Sequence, residues 1–206
     1  MAGTLFQNLA IAVKAAIEAF NRASKGETLA EILGYTDGLT GIPNRKAFEE
    51  DRHHVDLFDT FVLIDVDNLK DFNDTFGQLF GDRILRKCAN ILNKATENSG
   101  KAYRLSGDEF ALVVPQCRVK NVCLYIQNRI DADDRFSVSM GIAPPCGPDG
   151  LTEELFKTAE NALFQCRHRE TNIYAEYLTD ENENRENSEE ITTIPAGAAP
   201  CIVAAI

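Results

Sequence analysis

Two short stretches of this chain put acidic side chains where packing alone has no use for them. Asp65, with Val66 and Asp67, follows the continuous apolar run Phe61–Ile64. Such a run is expected of a strand buried on both faces, and an acid closing it sits at a sheet edge where ligands bind. A packing explanation also exists: Asp65 as the N-cap of a helix starting near Asn68. The second stretch is Asp108-Glu109, between the strand-like segments Lys101–Leu105 and Glu109–Val114. There the tight turn over Ser106-Gly107-Asp108 is read as needing the backbone freedom of Gly107, and a plain polar turn is the alternative. If adjacent strands bring the two stretches together, the carboxylates repel one another unless a cation intervenes. Hard oxygens around a small cavity suit Mg²⁺ or Mn²⁺, which keep waters and bind substrate phosphates. An ion there would favour attack by a ribose 3′-hydroxyl on an α-phosphate.

The elements that must position these acids alternate along the chain. Helical patterns cover Asn44 to about His54, Phe80 to about Thr96, Asn121–Ala132 and Leu151–Arg169. Strand patterns cover 61–64, 101–105, 109–114, Phe136–Ala143 and Ile173–Leu178. A hairpin mixed with helical crossovers predicts an α+β fold, a central sheet covered by helices. Residues 4–24 read as an amphipathic helix. Its Phe6, Leu9, Val13, Ala16 and Phe20 follow the seam of a short coiled coil, or equally a helix packed on its own domain. The expected division is 1–36 helix and linker, 37–178 globular domain, and 179–206 an acidic, disordered tail. The apolar end Ile202–Ile206 is read as a loose end or a docking segment for a protein partner.

Composition narrows the function. The net charge of −11 argues against a broad grip on nucleic acid. Six acids lie in residues 179–206 against Arg185 alone, so the body is only mildly acidic. The six cysteines form no CxxC pair and read as reduced thiols. The apolar stretch near the N-terminus is broken by Lys14 and Glu18 and lacks a basic lead, so neither a signal peptide nor a membrane span is expected.

Four landmarks then fall in order: Asp37–Arg45 (DGLTGIPNR), Asp65–Gly77 (DVDNLKDFNDTFG) followed by Gly81-Asp82, Ser106–Phe110 (SGDEF), and Ser137–Ala143 (SVSMGIA). Together they resemble the GGDEF domain of diguanylate cyclases from about Asp37 to Asn172. The resemblance implies a palm-like fold with a mostly antiparallel sheet, a bacterial cytoplasm, and condensation of two GTP into cyclic di-GMP by a homodimer with two divalent ions per site. Carried over by position, Asp65, Asp108 and the Val66 carbonyl bind metal, and Glu109 assists the metal or takes the 3′-hydroxyl proton. Asn73 and Asp82 read guanine. Asn68, Leu69, Lys70, Gly107 and Arg167 contact the rest of the nucleotide. A carboxylate at Asp82 matches the adjacent donors of guanine, which adenine lacks.

The chain departs from the family in places. Ser106 replaces the first glycine of the signature, and a small residue fits if its backbone φ is negative. Gln78 stands where His is common, Arg167 stands for a phosphate-binding Lys, and Thr171 for a later Arg. The inhibitory RxxD motif is replaced by Glu97-Asn98-Ser99-Gly100, so no product-inhibition site is expected. Two further readings remain: a degenerate domain that binds GTP or a dinucleotide without catalysis, and a cyclase making another product.

Overall fold

A computed structural model describes residues 34–97, 99–132, 135–168, 175–177 and 202–205. The fold is α+β, a central antiparallel sheet flanked by helices. In chain order the elements are α1 (Arg45–Asp51), β1 (Asp59–Val66), α2 (Leu69–Phe76), α3 (Gln78–Ala95), β2 (Lys101–Ser106), β3 (Glu109–Pro115), α4 (Gln116–Asp131), β4 (Val138–Pro145), α5 (Glu153–His168), β5 (Ala175–Tyr177) and β6 (Ile202–Ala205). The sheet order is β2-β3-β1-β4-β6-β5. The pairs β2/β3, β3/β1 and β1/β4 are antiparallel, and β4/β6 and β6/β5 are parallel.

β1 lies between β3 and β4 and is covered on both faces, which is why its sequence is apolar almost throughout. Alternate residues feed two cores. Val62, Ile64 and Val66 face the cluster built with α3 and α4 (Leu85, Leu92, Ile126). Phe61 and Leu63 face the other, built with α1 and α5 (Phe48, Ala159, Leu163). Phe61 stacks on Phe156 at 5.2 Å between ring centroids, within the range of favourable aromatic pairs. At Gly141 on β4, a Cβ would stand 2.1 Å from the Ala159 carbonyl oxygen and 2.5 Å from the Leu163 amide nitrogen. Only glycine lets α5 approach β4 this closely.

Three expectations change. Residues 69–76 form a helix of their own, set off from α3 by Gly77 at φ +81°. Asn68, not Asp65, is the N-cap of α2, and it makes no side-chain cap hydrogen bond. Ile202–Ala205, read as a loose end of a disordered tail, instead pairs with β4 as a strand. The free edge of β4 offers unpaired backbone groups that an apolar segment can complete. The amphipathic helix of residues 4–24, Thr171, and most of the acidic tail lie outside the described residues. Among the described residues Cys88, Cys117, Cys123, Cys146 and Cys166 form no disulfide. Burial pushes Cys123 up to about 12 and, with the nearby Asp59 charge, Cys146 up to about 11.

Candidate nucleotide site at the β1–hairpin edge

The antiparallel register of β1 and β3 sets Asp65 directly opposite Glu109. One residue on, the Val66 amide donates to the Asp108 carbonyl at 3.1 Å. The strand end and the hairpin turn are thus joined through their backbones, and three acids distant in sequence reach one sheet edge. Their side chains do not form a ready ion cage. Among the described residues, no three His, Cys, Asp or Glu side chains stand close enough to hold a metal ion. Two of the three carboxylates have other partners. The buried Asp65 carboxylate is ion-paired with the Arg167 guanidinium of α5, and Glu109 Oε2 accepts a 2.6 Å hydrogen bond from the Ser106 hydroxyl. The donor types suit a hard divalent cation, and a cation reaching Asp65 meets the Arg167 charge on one of its two oxygens.

The turn itself is braced from outside. Arg104 donates through Nη2 and Nε to the Gly107 carbonyl at 2.7 and 3.2 Å, and through Nη1 to Asp37 Oδ1 at 2.9 Å. Asp37 Oδ1 also accepts from the Thr40 amide and hydroxyl. Burial by itself would raise the Asp37 carboxyl, but the Thr40 and Arg104 hydrogen bonds and the Arg104 charge outweigh it and hold the carboxyl below its ordinary value. Behind the β1 end, Asp67 accepts from the Ser137 hydroxyl at 2.6 Å and the Ser139 hydroxyl at 2.7 Å. This fixes the start of the loop carrying Asn68.

Gly107 needs correction as well. Its φ is not positive, and a Cβ there would meet nothing within 4 Å. The glycine is not required by the turn. It leaves open space over the signature, which suits close approach of a ligand to the backbone. Ser106 likewise has no positive φ, so its side chain is tolerated without backbone strain.

The second half of the site lies on α2 and α3. Asn68 sits in the left-handed region (φ 55°, ψ 26°) and opens α2 without a side-chain cap. The first amides of α2 therefore lack side-chain partners at the positive end of the helix. Leu69 is buried, and Lys70 is exposed on the first turn. Asn73 packs on α3, where a Cβ on Gly81 would stand 2.0 Å from Asn73 Oδ1. That oxygen is buried with no hydrogen-bond partner. Asp82 is half-buried on the next position of α3. A cleft of about 380 Å³ lies beside the hairpin, lined by Asp37, Asn44, Arg45, Lys46 and Arg104 through Gly107. Of the residues assigned to nucleotide or metal, only Gly107 borders it.

Sequence reasoning singled out the acids but not their supports. Arg104 is the one charged residue of β2 beyond its first residue, Lys101, and Asp67 faces Ser139 of β4 and Ser137 just ahead of it. A lone arginine in a strand and alternating serines opposite an acid are the signals that could have marked them.

Residues 34–173 match the family described as diguanylate cyclase, GGDEF domain, and the chain belongs to that family. It is 29% identical over 149 residues to the diguanylate cyclase VdcA of Vibrio cholerae, covering 64% of this chain and 44% of that protein. It is 34% identical over 161 residues to an uncharacterized protein of the hutH 5′ region of Streptomyces griseus, covering 68% of this chain and 66% of that one. Among solved structures it resembles the GGDEF domain of DgcB from Caulobacter crescentus, determined with c-di-GMP, with a TM-score of 0.58 and 25% identity over 65% of this chain and 90% of that one. The chain spans 44% and 66% of the two curated relatives' lengths. Among the described residues no helix is long and apolar enough to cross a membrane.

Proposed function

We propose that this domain joins two GTP molecules into cyclic di-GMP, each subunit of a homodimer presenting one nucleotide to the other. The observation that carries this reading is the register that sets Asp65 opposite Glu109 beside the Asp108 turn, in a chain of the GGDEF family. In each half-reaction a ribose 3′-oxygen attacks the α-phosphate of the facing nucleotide, its proton leaves, and pyrophosphate departs. Mg²⁺ or Mn²⁺, two ions per site, held by Asp65, Asp108 and the Val66 carbonyl, would supply charge neutralisation for that displacement. Glu109 receives the 3′-hydroxyl proton or assists the ions. Asp82 accepts from the guanine N1–H and amine, and the partnerless Asn73 Oδ1 gains a donor from the same edge. The amides around Asn68 and Leu69, together with Lys70, hold phosphate, with Gly107 giving the nucleotide room. Arg167, released from Asp65, takes a triphosphate oxygen.

The ion pair of Arg167 with Asp65 also favours a second reading, in which the domain binds GTP or a cyclic dinucleotide as a signalling module without turnover. Incubating purified protein with GTP, ATP and Mg²⁺ or Mn²⁺ and identifying products by mass separates the two. Cyclic di-GMP that disappears in Asp108→Ala supports the cyclase, and GTP binding without product supports the module. Residues 1–24, outside the described residues, are proposed as the dimerisation helix. Removing them should lower dimer fraction and turnover together, and unchanged turnover at low protein concentration would count against that role.

A further inference from the structure

The Ser106–Glu109 hydrogen bond gives the serine of the signature a role that a glycine there could not fill. We propose that Ser106 is a positioning residue for Glu109: its hydroxyl selects one rotamer of the glutamate and commits one carboxylate oxygen to the hairpin, leaving the other for the reacting groups. This inference rests on the cyclase reading for its kinetic consequence but not for its structural one.

Three observations support it. The β2/β3 register shifts between Arg104 and Ser106, and this irregularity brings Ser106 opposite Glu109. The hydroxyl then donates to Glu109 Oε2 at 2.6 Å, a length typical of a donor on an ionised carboxylate. The serine is mounted on a rigid base, because Arg104 clamps the adjoining Gly107 carbonyl twice and is itself anchored to Asp37. A glutamate side chain has several rotatable bonds and loses considerable freedom when fixed. A donor on a braced turn removes that freedom before substrate arrives, which is preorganisation.

The test compares the full chain with Ser106→Ala, Ser106→Gly and Ser106→Thr. In protein without nucleotide or metal, ¹³C NMR of labelled glutamate, assigned with Glu109→Gln, reads the side-chain couplings. Single-rotamer couplings are expected in the wild type and Ser106→Thr, and averaged couplings in the Ala and Gly variants. In turnover assays, kcat should fall about three- to tenfold in the Ala and Gly variants, the range expected for one such hydrogen bond, with KM for GTP nearly unchanged, and Thr should restore it. Averaged couplings in the wild type would overturn the proposal, and so would Ala and Gly variants with wild-type or higher kcat. A wild-type protein without cyclase activity overturns the functional reading instead, and the NMR comparison then decides the Ser106–Glu109 coupling alone.

Discussion

The two halves of the site are prepared in opposite ways. At the hairpin edge polar groups are already spoken for: Asp65 by Arg167, Glu109 by Ser106, Asp67 by two serines, Asp37 by Thr40 and Arg104. On α2 and α3 the corresponding groups are left open, with an uncapped left-handed Asn68, a buried Asn73 oxygen without a partner, and an exposed Lys70. The difference follows from charge. Acids held in or against the sheet destabilise the folded chain unless matched, whereas a neutral amide, or an ammonium exposed to water like that of Lys70, can wait for a ligand at a smaller cost. The hairpin half is therefore expected to contribute to folding, and the helical half mainly to binding.

The sharpest way to break this comparison is at Asp108. Asp108→Ala should lower product formation by about 10²- to 10³-fold, the range for removing one electrostatic stabiliser from a catalytic centre, read by mass detection of cyclic di-GMP. Next, Arg104→Ala removes the clamp on Gly107 and the partner of Asp37 together. It should cost about 2–3 kcal/mol of stability in urea unfolding, since breaking a largely buried ion pair leaves the other charge unmet. If Arg104→Ala left stability untouched, the hairpin half would not be the structural half. Asn73→Ala should do the reverse: weaken GTP binding about tenfold, the worth of roughly one hydrogen bond to a ligand, while unfolding stability stays level or rises as an unsatisfied buried atom disappears. The smallest effect is expected at Asp37→Asn, about 1 kcal/mol at neutral pH. The Asp37 carboxyl is held below its ordinary value of 3.8 in the folded chain. Its stabilisation is therefore present above 3.8 and is lost as pH falls through the lower folded value. The stability gap between wild type and Asp37→Asn should accordingly close on acidification below 3.8, and a gap that widened would refute the role given to this carboxylate.

The elements that carry the acids were legible because strands announce themselves locally. The apolar run before Asp65 marks a doubly covered strand, and the two segments around Ser106–Asp108 mark the hairpin of β2 and β3. Helix α2 was legible only in part. A helix starting near Asn68 stood as one alternative, and Leu69, Phe72 and Phe76 do follow helical spacing, but eight residues with only Leu69 fully buried give a stripe too short to fix the element. The strand at 202–205 was misread for the complementary reason. A short apolar segment after a polar stretch carries no sign of which sheet edge it will complete.

The sequence by itself determined which acids close an apolar strand and a hairpin turn, and most of the order of strands and helices that carries them, because these depend on short-range periodicity; the assignment of those acids to metal and nucleotide came from the family motifs. Only the tertiary structure decided that Asp65 faces Arg167, that Glu109 is held by Ser106, and that Gly107 is open space rather than a strained turn. Those outcomes depend on strand register and on the approach of α5 to the sheet. Both are set by how the two cores pack, a property of the whole domain that no window of neighbouring residues contains.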